Sequence, residues 1–146
     1  MIREWNEADL SEILILLDQL NEAQDENQEL DIGNIQRLYQ SMIALPEVYH
    51  NAIFEDGGVI IGFVSVVFYQ SIYHKVGTAL INELVVSDSH RNQGIGKALL
   101  NYVIELAKAK GMDEIEIGVM KDNTKAISFY KACGIDKEYL LLGMEF

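Results

Sequence analysis

The residues with the clearest chemical spacing are Arg91-Asn92-Gln93-Gly94-Ile95-Gly96-Lys97. A polar loop carries an arginine, and two glycines then open a helix with apolar periodicity. A helix N-terminus leaves about four amides unpaired and carries partial positive charge. Glycine lets a ligand come close to those amides. The segment therefore reads as a cradle for a pyrophosphate, with Arg91 and Lys97 as flanking cations; a tight turn alone is the other reading. A dinucleotide fingerprint would need a third glycine where Leu99 stands, and the Gly-Lys-Ser/Thr of a nucleotide P-loop is absent.

The elements around this segment follow from periodicity. Ile2 to Trp5 is a short extended start. Asn6, with Asp9 three residues on, reads as a capping box for a helix over 7–20, carried by Leu10, Ile13, Leu14, Leu17 and Leu20. Asp31 caps a second helix striped by Ile32, Ile35, Leu38, Tyr39 and Met42, with Pro46 beyond its end. The pattern then changes to strands at 50–55, 59–69 and 77–86, the first two joined by Asp56-Gly57-Gly58, so an antiparallel meander is expected. A helix over 94–110 ends at Gly111, followed by a strand over 114–119, a helix from Asp122 or Asn123 to Ala132, and a last strand over 139–146. The second half is a βαβαβ arrangement with a parallel pair around the Gly94 helix.

Composition narrows the function classes. The 146 residues suit one domain, 1–146, and 49% apolar residues supply a core. The net charge of −12 argues against a general nucleic-acid binder and is compatible with a cationic ligand. The lone Cys133 makes neither an intrachain disulfide nor a thiolate metal cage. No apolar run approaches the ~20 residues of a membrane span, and Met1 to Glu7 lacks a signal peptide's apolar stretch. The expectation is a soluble, cytoplasmic protein with no membrane or nucleic-acid partner and no metal.

Arg91-x-x-Gly94-x-Gly96 after an apolar strand resembles the acyl-CoA signature of the GCN5-related N-acetyltransferases, the GNAT superfamily. Leu84-Val85-Val86 is similar to the strand whose backbone pairs with pantetheine in that family. Asn123-x-x-Ala126-x-x-Phe129-Tyr130-x-x-x-Gly134 resembles its second cofactor motif. The order of elements matches over essentially the whole chain. Gly134-Ile135, where the family usually has Gly-Phe, is similar to some aminoglycoside 3-N-acetyltransferases. His74 before Glu83-Leu84-Val85-Val86 is similar to aminoalkylphosphonate N-acetyltransferases.

The resemblance implies an α+β fold, with a mixed central sheet flanked by helices and a splayed parallel pair around the cofactor. It implies direct transfer of an acetyl group from acetyl-CoA to a primary amine. A non-catalytic CoA-binding or regulatory module, and a protein N-terminal or lysine acetyltransferase, are the alternatives. Leu84, Val85, Val86, Arg91, Asn92, Gln93, Gly94, Ile95, Gly96, Lys97, Asn123 and Tyr130 are the implied cofactor contacts, with a backbone N–H near Val85 as oxyanion donor. Tyr130, a phenol protonated at neutral pH, is the implied acid for the departing thiolate.

Glu83 is the candidate base or substrate anchor. Strand alternation sets it opposite to Asn82 unless a bulge intervenes, so its facing is open at this stage. His74 is a weaker candidate for substrate or metal, His90 reads as surface, and Cys133 as a small buried apolar residue. The acidic run Asp18, Glu22, Asp25, Glu26, Glu29 and Asp31 is either a rim that attracts a small cationic amine or a solvated loop. The apolar last strand, an edge in need of cover, suggests a homodimer.

Overall fold

The computed structural model describes residues 1–24 and 28–146. Five strands form one sheet in the order β1 (Ile2–Glu4), β2 (Tyr49–Asp56), β3 (Val59–Tyr69), β4 (Thr78–Val86) and β5 (Glu114–Ile117). The first four pair antiparallel, and β4 and β5 pair parallel. The helices are α1 (Leu10–Ala23), α2 (Ile32–Ile43), α3 (Ile95–Ala109) and α4 (Thr124–Ala132). None is long and apolar enough to cross a membrane.

The expected capping box is present, with Asn6 accepting from the Ala8 amide and Asp9 accepting from the Asn6 amide at 2.8 Å. It closes a 3-10 turn, Glu7–Asp9, that runs into α1. Arg3 fastens this corner to the sheet. Its guanidinium grips Asp9 with two bonds of 2.8 and 2.9 Å and reaches Glu55 of β2 at 3.0 Å. The pair holds the buried Asp9 carboxyl below its ordinary range, the Arg3 hydrogen bonds being the main cause. Asp31 caps α2 by accepting from the Asn34 amide at 2.8 Å.

The sheet has a core on each face. One, beneath α3, joins Val64, Val66, Phe68, Ala79 and Ile81 of the sheet to Leu99, Leu100 and Val103. The other, beneath α1 and α2, joins Ile53, Ile60, Phe63 and Val85 to Leu10, Ile13, Leu16 and Ile35. Alternation along β3 and β4 feeds both cores, which is why these strands read as nearly continuous apolar runs.

Two expectations about strands are corrected. β5 ends at Ile117 rather than 119. Residues 139–146 form no strand, and Leu140, Leu141, Leu142, Met144 and Phe146 are each more than three-quarters exposed. Apolar, β-prone composition supplies a propensity, whereas a strand exists only where a neighbour completes its ladder. No described strand pairs with this segment, so the second parallel crossover of the expected βαβαβ is missing.

Candidate active site

The first four residues of β4 pair with β5, from Thr78 opposite Glu114 to Ile81 opposite Ile117, and the pairing stops there. Beyond Ile81 no strand among the described residues pairs with the β5-facing edge of β4, and a gap opens. At the same place β4 bulges against β3. Val66 faces Ile81 and Ser65 faces Glu83, leaving Asn82 as the extra residue. Ala79 and Ile81 lie in the core under α3, whereas Val85 lies in the core under α1. The bulge has therefore reversed the strand's parity. Glu83, which unbroken alternation would place with Ala79 and Ile81, stands instead with Asn82 toward the gap.

A small cavity of about 120 Å³ occupies the gap. Its walls are Asn82, Glu83 and Leu84 of β4, Ile117 to Val119 at the end of β5, Asn123, Ala126 and Tyr130 at α4, Leu20 of α1 and Gln24 just past its end. It adjoins a groove of about 1400 Å³ that also includes Tyr69, Leu80, Glu114 and Glu116. Glu83 and Tyr130 thus line one cavity from different elements. Burial raises the Glu83 carboxyl, an effect partly offset by the Ser65 hydroxyl. Burial also pushes the Tyr130 phenol up to about 12.

The glycine-rich segment lies at the far end of the same strand. Gly94 is the N-cap of α3 with φ 81°, and the preceding Asn92 is also left-handed at φ 61°. A Cβ on Gly94 would meet nothing within 4 Å, so its side-chain direction is open. The first helical bond runs from the Ala98 amide to the Gly94 carbonyl, so the amides before Ala98 lie outside the helix's own ladder. Arg91, Asn92, Gln93 and Lys97 are exposed, and Ile95 is buried beneath them. Arg91 pairs with Asp88 at 2.5 Å, so its charge is partly satisfied before any anion arrives. Gly96 packs toward Phe129 and Val86, joining the start of α3 to α4.

The other expected residues are spread around this site. Asn123 caps α4 by accepting from the Ala126 amide at 3.2 Å and also lines the small cavity. Leu84 and Val86 pack against the α3 core, and Val85 is buried on the other face. His74 is held by Ser71 at 2.7 Å and by Glu114 at 2.9 Å, clasping the β3–β4 hairpin to β5. His90 is half-buried and bonded to Ser89, and Cys133 packs beside the α3 core.

The acidic rim is placed differently. Asp25 and Glu26 lie outside the described residues, Asp31 serves as a helix cap, and α1 and its C-cap meet the groove with Leu17, Leu20, Asn21 and Gln24. The groove's carboxylates near the sheet come from Glu83, Glu114 and Glu116 instead. Sequence reasoning missed Ser65 and Asn51, two buried polar residues within apolar strands, which is the signal that could have found them.

The sheet splays where β4 and β5 part, and a glycine-opened helix starts beyond the end of the same strand. The comparisons give the class. Residues 9–135 match the model of the acetyltransferase (GNAT) family. The chain belongs to that family of N-acetyltransferases. It is similar to an uncharacterised N-acetyltransferase of Methanocaldococcus jannaschii, 37% identical over 90 residues, covering 61% of this chain and 40% of that one. It is also similar to thialysine N-epsilon-acetyltransferase of Bos taurus, 28% identical over 142 residues, covering 92% and 82%. Among solved structures, a transcriptional regulator from Bacillus halodurans superposes with a TM-score of 0.87 at 26% identity, covering 100% and 99%. The chain spans well under half of the archaeal relative and most of the bovine one.

Proposed function

We propose that this chain transfers an acetyl group from acetyl-CoA, drawn from the cytoplasmic pool, directly to a primary amine of a small cationic acceptor. The observation that carries the reading is the shared cavity, with Glu83 and Tyr130 lining it beside the unpaired edge of β4. The open amides at the start of α3 and the clear space over Gly94 suit the pyrophosphate, with Arg91, Asn92, Gln93 and Lys97 around it. The β4 edge at Leu84, Val85 and Val86 suits the pantetheine arm, and a backbone N–H near Val85 suits the oxyanion.

An ammonium has no lone pair, so the acceptor must first lose a proton. Glu83, raised by burial, is the base that takes it. The amine nitrogen then bonds to the thioester carbon, and the C–S bond breaks as the tetrahedral intermediate collapses. Tyr130 donates a hydrogen bond to the departing sulfur. With its phenol near 12 and a thiol near about 8.5, full transfer of the phenol proton would run uphill. Its contribution is therefore stabilisation of the thiolate, which then takes the second proton that the acylated nitrogen sheds as it becomes a neutral amide. Glu83, Glu114 and Glu116 make the groove attractive to an acceptor with more than one positive charge.

Thiol release from acetyl-CoA in the presence of a panel of mono- and polyamines tests this. Release accelerated by polyamines is expected, and no acceleration by any amine would leave a CoA-binding module. The exposed apolar run from Tyr139 to Phe146 supports self-association into a homodimer, and sedimentation showing only monomer at micromolar concentration would overturn that part.

A further inference from the structure

Asp88 is fixed in place by bonds that leave its carboxylate out. Its backbone amide donates to Gln19 Oε1 of α1 at 3.0 Å, across 69 positions of sequence. The amide of the preceding Ser87 donates to the Ile61 carbonyl of β3 at 2.9 Å. The 3-10 turn Asp88–His90 is thus tied to a helix on one side and to the sheet on the other. Among the described residues the Asp88 carboxylate has one partner, Arg91, with Oδ1 2.5 Å from a guanidinium nitrogen. Arg91 stands just before the Gly94 cap of α3. Lys97, the other cation of that segment, has no carboxylate partner among the described residues. Of the two, Arg91 alone is restrained.

Resting on the reading of residues 91–97 as a pyrophosphate cradle, we infer that Asp88 is a positioning residue that holds Arg91 back from the phosphates and so speeds the release of CoA after each transfer. Arg91 serves the phosphates fully only by giving up its bond to Asp88. The carboxylate cannot follow it, because Gln19 and Ile61 hold the turn. Binding therefore exchanges one partner of the guanidinium for another, and release exchanges them back. Direct repulsion between the exposed carboxylate and the phosphates is the smaller effect, since salt screens exposed charges.

Acetyl-CoA and CoA carry the same pyrophosphate, so the cradle cannot tell substrate from product. Contacts there act equally before, during and after the transfer, and such contacts lower KM without raising kcat. A grip that is too firm delays the product, and release limits turnover in many enzymes. Asp88 weakens this uniform grip from outside the cavity that Glu83 and Tyr130 line.

The test is CoA binding to the full chain. Asp88→Asn removes the charge and keeps the backbone bonds to Gln19. Calorimetry should give a Kd for CoA about threefold lower than wild type, a gain the size of one exposed ion pair. Labelled CoA chased with excess acetyl-CoA should leave the variant more slowly. The KM for acetyl-CoA should fall while kcat does not rise. Asp88→Glu keeps a carboxylate and should return all three readings toward wild type. Asp88→Ser, read by the same calorimetry, replaces Asp88→Asn if that variant does not fold. In an Arg91→Ala background the gain should largely disappear, because the cation it frees is gone. A gain that persists there means the carboxylate acts on the ligand directly, and the restraint is overturned. An unchanged or raised Kd in Asp88→Asn overturns it too, a raised one by showing that Asp88 aims Arg91 at the phosphates. Gly94→Asp separates the two levels. If that variant binds CoA as wild type does, the cradle reading itself fails; if it loses CoA while Asp88→Asn leaves Kd and release unmoved, only the restraint fails.

Discussion

Gly62 of β3 lies so close beneath Leu99 of α3 that a Cβ on the glycine would sit 2.9 Å from Leu99 Cδ1. The same atom would stand 3.2 Å from Ile95 and 3.3 Å from the Cβ of Phe54. Leu99 is wholly buried and Phe54's Cβ is fixed to its strand, so neither can yield freely. This contact sets the height of α3 above the sheet and with it the position of the helix's first turn.

Gly62→Ala is therefore expected to destabilise the fold by about 1–3 kcal/mol through overpacking. Chemical denaturation checks it. Unchanged stability would show that α3 lifts away without cost, in which case acetyl-CoA affinity should change instead.

Gly94→Asp should abolish acetyl-CoA binding without unfolding the chain. Its Cβ meets no neighbour within 4 Å, and the left-handed φ of 81° costs an aspartate about 1 kcal/mol. The carboxylate would occupy phosphate space with the wrong charge. Calorimetry giving wild-type affinity would remove the cradle.

Tyr130→Phe keeps the ring and loses the donor. A fall in kcat of at least about tenfold is expected, with acetyl-CoA affinity changed much less. Because burial holds the phenol near 12, any basic limb seen below pH 10 belongs to another group and should persist in the variant. Steady-state kinetics from pH 6 to 10 decide both points.

Glu83→Gln should separate activity from stability. Burial raises the folded-state pKa of Glu83, so its favourable contribution is fully present below the unfolded value of about 4.3 and is lost as pH rises through the folded one. At pH 8 the glutamine variant should melt no lower than wild type, and any advantage should close near pH 4. Its kcat/KM should drop by about 100-fold or more. A variant that is both active and less stable would make Glu83 structural.

Asp9→Asn has the opposite sign. The Arg3 bonds depress the Asp9 pKa, so the stability they give is present above the unfolded value of about 3.9 and disappears as pH falls through the folded one. The variant should lose about 2 kcal/mol at pH 7, since it leaves the part-buried Arg3 with Glu55 as its one carboxylate partner beside the Glu4 carbonyl. The gap should narrow below pH 4. A thermal-melt series across pH 3–8 measures it.

Much of the fold is legible in the residues because its causes are local. Asn6 with Asp9, and Asp31, cap helices through bonds spanning three residues, and Gly57-Gly58 supplies the positive φ of a hairpin. The glycine-rich opening of α3 is readable for the same reason, since a helix N-terminus exposes its amides wherever it occurs. The last eight residues misled because strand propensity does not provide the partner that makes a strand.

The facing of Glu83 is the deeper case. Composition and alternation leave it undecided between the core and the gap, because one extra residue reverses everything after it. Only the pairing of β3 with β4 shows that Asn82 is that residue. The chain by itself determined the helix caps, the meander and the glycine-rich turn, all set by interactions within a few residues. Tertiary structure decided where β4 leaves β5, and that Glu83 and Tyr130, 47 positions apart in the sequence, line one cavity. It also aligned Asn51, Ser65 and Glu83 across three strands. Register is a relation between distant segments, fixed when both cores are filled at once.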